Sequence, residues 1–113
     1  MKSLIILLFL PISLFSQKKI TREEFKELIT KGNVLVIDVR TPVEFSEAHI
    51  KNAINIDYFS KSFPETISKL DKQKTILVYC AAGGRSTSAC SDFKKLGFKK
   101  VYNLIGGYDN WKE

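Results

Sequence analysis

A chain of 113 residues with 44% hydrophobic content fits one domain with one core and leaves no room for a second. Its formal net charge of +6 is spread as lysines along the chain rather than gathered in an arginine-rich block, which argues against a nucleic-acid surface. One histidine and two cysteines provide no metal-ligand spacing, and there is neither an internal repeat nor a low-complexity stretch.

The first sixteen residues differ from the rest. Lys2 gives a short positive start, Leu4 to Phe15 are almost wholly apolar, and a polar chain begins at Gln17. That apolar run is interrupted by Pro11 and falls short of the roughly 20 residues a bilayer span needs, so residues 1–16 read as a signal peptide and 17–113 as the folded domain. The expectation is export to a periplasm or the outside, with no stable membrane association once the signal is removed. Leu14 is larger than the small residue usual three positions before a cut after Ser16, which leaves an uncleaved N-terminal anchor as the alternative.

Thr21-Arg22-Glu23-Glu24 is a capping box, with Ile20 and Phe25 placed to staple over it. A helix is expected from about Arg22 to a stop at Gly32, burying Phe25, Leu28 and Ile29. Val34 to Ile37 read as a buried strand with Asp38 and Arg40 at its C-terminal end, the edge where α/β proteins build their sites. For that pair structural support is the expectation: bonding to loop amides or to a carboxylate such as Glu44. Thr41-Pro42-Val43-Glu44 repeats the cap logic and starts a short helix to about Ala48. His49, the single histidine, reads as a hydrogen-bonding loop residue rather than a general base. Ala53 to Ile56 form a short strand. Ser62 with Pro64 and Glu65 opens a helix to about Leu70, with Phe63, Ile67 and Leu70 on one face.

Thr75 to Tyr79 are β-branched and apolar, as in a buried parallel strand, and a helical pattern runs from Thr87 to Leu96. Between them lies Cys80-Ala81-Ala82-Gly83-Gly84-Arg85-Ser86. Backbone N–H groups in a glycine-containing loop and at a helix N-terminus favour an anion, and a cysteine there can itself be that anion: such surroundings lower a thiol pKa from about 8.5 to roughly 3.5–7.5. Gly83 and Gly84 let the loop curl its amides inward, and Arg85 places a positive charge at the rim. Ala89, Phe93 and Leu96 recur at helical spacing, with Gly97 as the stop. Cys90 shares nearly the same face and reads as a small core residue rather than a disulfide partner for Cys80. Val101 to Leu104 are the last strand, Gly106-Gly107 permit a tight turn near the cysteine loop, and Tyr108 and Trp111 pack the final turn. Strands alternating with helices imply an α/β domain with a mostly parallel sheet, its strand order left open.

Cys80-x-x-Gly83-x-Arg85-Ser86 resembles the active-site loop of the single-domain rhodaneses, sulfurtransferases that carry a sulfane sulfur as a cysteine persulfide. Val36-Ile37-Asp38-Val39-Arg40-Thr41-Pro42, with Glu44-Phe45, His49-Ile50 and Ala53-Ile54-Asn55-Ile56, is similar to that family's first signature. Val101-Tyr102-Asn103-Leu104 with Gly106-Gly107 and Trp111 is similar to its closing one. The resemblance implies a three-layer domain with about five strands between helices. It implies Cys80 as the catalytic nucleophile and Ala81, Ala82, Gly83, Gly84, Arg85 and Ser86 as the substrate-binding ring, with Asp38 and Arg40 kept as the structural support that their strand-end position suggests. It implies no metal or organic cofactor, a small anionic donor such as thiosulfate, a thiol or cyanide acceptor, no nucleic-acid partner and a monomer. Three other readings stay open. A non-catalytic rhodanese-like binding module is one. A cysteine phosphatase or arsenate reductase is another, although those resemble Cys-x5-Arg and here only four residues separate Cys80 from Arg85. Thiol–disulfide exchange lacks a Cys-x-x-Cys.

Overall fold

The computed structural model describes residues 18–111; the expected signal peptide lies outside them. In chain order the elements are β1 (Lys18–Ile20), α1 (Arg22–Lys31), β2 (Val34–Asp38), α2 (Pro42–Glu47), β3 (Ile54–Asn55), α3 (Phe63–Ser68), β4 (Thr75–Tyr79), α4 (Gly84–Lys95) and β5 (Val101–Leu104), followed by a 3-10 turn at Tyr108–Asn110. The strands form one sheet in the order β1-β5-β4-β2-β3, and every pairing is parallel. β4, flanked on both sides, is its centre.

Period-two alternation along β4 divides the core. Ile76, Val78 and Cys80 point into the layer of α3 and α4, where they pack with Phe63, Ile67, Ala89, Cys90 and Phe93. Leu77 and Tyr79 point the other way, toward α1, Phe25 and Trp111. Phe25 is fully buried and meets Trp111 edge-on at a centroid distance of 5.7 Å and Tyr79 at 6.5 Å. Burial of a side chain of this size contributes about 1.5–3 kcal/mol, and it fixes the end of the described chain onto the first helix.

The local signals formed the elements they predicted at both capping boxes. Thr21 Oγ1 accepts from the Glu24 amide at 3.1 Å while Glu24 Oε1 accepts from the Thr21 amide at 2.9 Å, and Thr41 and Glu44 repeat the exchange at 3.3 and 2.9 Å. Ile20 and Phe25 are both buried in one cluster, as a staple requires, whereas Leu28 and Ile29 are only half-buried at its edge.

Elsewhere the structure departs from expectation. The Ser62 side chain makes no cap bond to α3; its hydroxyl lies 2.9 Å from that of Ser60 instead. Leu96 is exposed, because α4 ends at Lys95 and Gly97, at φ 100°, turns the chain away. β3 is shorter than expected, and β1 was not foreseen: Lys18–Ile20 carry a single buried residue, and only pairing with β5 makes them a strand.

Candidate active site

Cys80 follows the last residue of β4 and is 1% exposed. The chain then turns at Gly83, whose φ of 126° suits glycine, and α4 starts at Gly84, three residues before the Thr87 expected from the sequence. Gly84, Arg85 and Ser86 are therefore the first turn of a helix rather than loop. That shift aims the helix N-terminus at the sulfur. Sγ accepts the Gly83 amide at 3.1 Å and the Ser86 amide at 3.3 Å, and it lies 3.4 Å from Ser86 Oγ.

The turn is held from above and below. The Gly83 carbonyl accepts from Ser86 Oγ at 3.1 Å, Thr87 Oγ1 at 2.7 Å and the Thr87 amide at 3.1 Å, and Asn103 of β5 donates to Thr87 Oγ1 at 3.3 Å. On the other side the Tyr108 amide donates to the Cys80 carbonyl at 2.7 Å and the Asp109 amide to the Ala81 carbonyl at 2.9 Å. Gly107 makes this second clamp possible: a Cβ on it would lie 2.5 Å from both carbonyl oxygens. Ala82 and Gly84 are exposed at the rim.

Burial pushes the Cys80 thiol pKa up, but hydrogen bonds from the Ser86 hydroxyl and from the amides of Ser86, Gly83 and Ala82 outweigh it and bring the group below its ordinary value. Cys90 lies fully buried in the core beneath. Burial first, and the Cys80 charge next, push it up to about 12, and no disulfide joins the two sulfurs.

Arg85 is not a solitary charge. Its Nη1 and Nη2 donate to Glu44 Oε1 and Oε2 at 2.8 and 3.1 Å, and its guanidinium lies 5.7 Å from the ring centroid of Phe59. The Arg85 hydrogen bond holds the Glu44 carboxyl at about 2, and Glu44 in turn raises Arg85. No local pattern signals this pair across 41 positions, because the capping box already accounts for Glu44. Phe59 also went unnoticed, as did the Tyr108 and Asp109 amides, which no side-chain pattern reports.

Asp38 and Arg40 bond to each other rather than to Glu44. Asp38 Oδ1 accepts from the Arg40 amide and Nε at 2.9 and 3.0 Å, and Arg40 Nη2 donates to Asp38 Oδ2 at 2.8 Å and to the Ala48 carbonyl at 2.7 Å. The guanidinium also sits 4.6 Å over the Tyr108 ring, so this buried pair braces the turn that clamps the cysteine loop. Asp38→Ala leaves a buried guanidinium without its carboxylate, and a loss of about 3–5 kcal/mol in stability is expected, read as a lower midpoint in urea unfolding. His49 stands outside the site: it is exposed, stacks on Phe45 at 3.7 Å and has Nδ1 2.8 Å from the Phe45 carbonyl.

Comparison with known proteins agrees with this geometry. The Rhodanese-like domain family matches residues 21–113. The thiosulfate sulfurtransferase GlpE of Coxiella burnetii is 39% identical over 95 residues, 84% of this chain and 87% of that protein. The tRNA uridine(34) hydroxylase of Pelagibacter ubique is 35% identical over 105 residues, which cover 88% of this chain and 35% of that enzyme. Among solved structures, a rhodanese-related protein from Thermoplasma volcanium superposes with a TM-score of 0.74 at 31% identity, covering 83% of this chain and 89% of the other. With the cysteine cradle, the parallel sheet and these likenesses together, the chain belongs to the rhodanese-like domain family.

Proposed function

We propose that this domain is a sulfurtransferase of the thiosulfate sulfurtransferase type, working through a persulfide on Cys80. The Cys80 thiolate attacks the outer sulfur of a sulfane donor. A new S–S bond forms at Cys80, the donor's own S–S bond breaks, and sulfite leaves thiosulfate with the electron pair. A thiol or cyanide then attacks the outer sulfur and restores the thiolate. Charge and electrons balance in both steps, so no redox partner or cofactor takes part.

The observation that carries this reading is the ring of donors on Sγ: Gly83 and Ser86 amides at 3.1 and 3.3 Å, with the resulting fall in pKa. Preorganised amides hold a thiolate before reaction and the anionic outer sulfur after it. The ring closes on a single sulfur atom, which supports sulfur transfer over phosphoryl or arsenate chemistry. The intact nucleophile likewise supports an enzyme over a binding module. Arg85, Ala81, Ala82 and Gly84 complete the mouth through which the donor approaches.

The test is intact-mass spectrometry of the protein after thiosulfate treatment. A gain of one sulfur atom, removed by cyanide and mapped to the peptide holding Cys80, is the expected result; a mass unchanged by thiosulfate and by an organic thiosulfonate alike overturns the reading.

The pH dependence follows from the same hydrogen bonds. Because the folded thiol titrates below its ordinary value, alkylation of Cys80 by iodoacetamide should stay fast as pH falls past the point where a free cysteine has slowed. Cys90, pushed the other way, should remain unlabelled until the protein is unfolded. Peptide mapping across a pH series checks both.

A further inference from the structure

The charges at the mouth constrain the donor more narrowly than the nucleophile does. Arg85 places a cation at the mouth, and the Nη1–Nη2 edge that would clamp an oxyanion bidentately is already taken by both oxygens of Glu44. The guanidinium at the end of β2, Arg40, is likewise matched by Asp38. Beside the Arg85–Glu44 pair stands Phe59, 66% exposed, on a turn where Asp57 Oδ1 accepts from the Phe59 amide at 2.9 Å. An exposed aromatic ring against a neutralised ion pair, with a second carboxylate at its base, is poorly suited to a small dianion. It suits a donor with one negative charge and an organic body.

We propose that Glu44 is a positioning residue that sets donor choice: by occupying the Arg85 fork it selects against dianionic thiosulfate and for a singly charged organic sulfane donor whose body rests on Phe59. This deepens the sulfurtransferase reading and rests on it. The transfer step is the same. For a thiosulfonate, the Cys80 thiolate takes the outer sulfur, the donor S–S bond breaks, and an organic sulfinate departs with the electron pair, two negative charges entering and two leaving. With an organic persulfide as donor, the same bond changes release the organic thiolate.

The experiment compares thiosulfate with benzenethiosulfonate, with cyanide as the common acceptor, in the wild type and in Glu44→Gln, Glu44→Asp and Phe59→Ala. Glutamine keeps a side-chain oxygen for the Thr41 amide, so the α2 cap survives while the charge on Arg85 is released. Glu44→Gln should raise kcat/KM for thiosulfate about tenfold, mainly through KM, and change benzenethiosulfonate by less than about threefold. Glu44→Asp, which keeps the charge, should hold the ratio near that of the wild type. Phe59→Ala should lower kcat/KM for benzenethiosulfonate about fivefold and leave thiosulfate within about twofold. If Glu44→Gln depresses both donors alike, or leaves their ratio unchanged, Glu44 is only a brace and the proposal is overturned while sulfur transfer stands. If the wild-type protein takes sulfur from neither donor, the sulfurtransferase reading itself fails.

Discussion

Sulfur loading is expected to disappear in Cys80→Ser, with turnover of thiosulfate and cyanide falling by at least about 10³-fold. The amide ring remains in that variant, because the serine oxygen can still accept from the Gly83 and Ser86 amides that now meet Sγ at 3.1 and 3.3 Å. What is lost is an ionisable atom that those amides can hold as an anion at neutral pH. A hydroxyl titrates far too high for the same donors to ionise it, and it forms no stable bond to sulfane sulfur. Cys90→Ala is the companion measurement. That thiol is fully buried and driven up to about 12, so its loss should lower stability modestly and leave turnover per folded molecule within about twofold. Thiocyanate production measured on both variants decides the matter; retained turnover in Cys80→Ser would place the nucleophile elsewhere.

The second large effect is expected at a residue with no functional group. Gly107 sits at φ 60° and ψ −158°, a backbone region that costs any other residue about 1–3 kcal/mol. Its added Cβ would also meet the Cys80 and Ala81 carbonyl oxygens at 2.5 Å, so Gly107→Ala must move the cysteine loop or the turn beneath it. Those carbonyls accept the Tyr108 and Asp109 amides, and displacing them tilts Sγ away from its own donors. Since a misplacement of about 1 Å can cost about 10²-fold in rate, turnover should fall by that order in the folded fraction. Gly97→Ala separates the two causes. It is strained at φ 100°, but its Cβ would meet nothing nearer than Lys72 Cδ at 3.9 Å, so it should lose stability and keep its rate. Equal loss of rate in both variants would show that backbone strain alone, rather than the wedge under Cys80, is responsible.

Local chemistry was the legible part of this chain. Both capping boxes, the β4 run, β5 at Val101–Leu104 and the cysteine turn each depend on residues within a few positions, and each formed where the pattern put it. The start of α4 did not. A Gly83-Gly84 pair reads as loop, yet Gly83 takes the strained turn and Gly84 becomes the first helical residue, because the Gly83 carbonyl collects donors from Ser86 and Thr87. β1 escaped notice for a different reason: Lys18 and Lys19 are exposed, and the strand exists only through β5, some eighty positions later.

The site divides in the same way. Cys80 and its amide donors were readable because they lie within seven consecutive positions. The Glu44–Arg85 pair, the Phe59 ledge and the clamp from Tyr108 and Asp109 were not, because each joins segments that only the crossovers bring together. Asp38 and Arg40 show the intermediate case: position at a strand end marks both as bonded groups, while the choice of each other over Glu44 depends on where α2 turns that carboxylate.

The backbone clamp beneath the nucleophile carries a consequence for biosynthesis. A ribosome assembles Cys80 well before Gly107, Tyr108 and Asp109, so an emerging chain owns its reactive sulfur while the brace that shapes it is still missing. A half-made copy thus holds Cys80 with its Gly83 and Ser86 donors but lacks the two amides that pin the carbonyls of the turn, and the cradle is fastened only when they arrive.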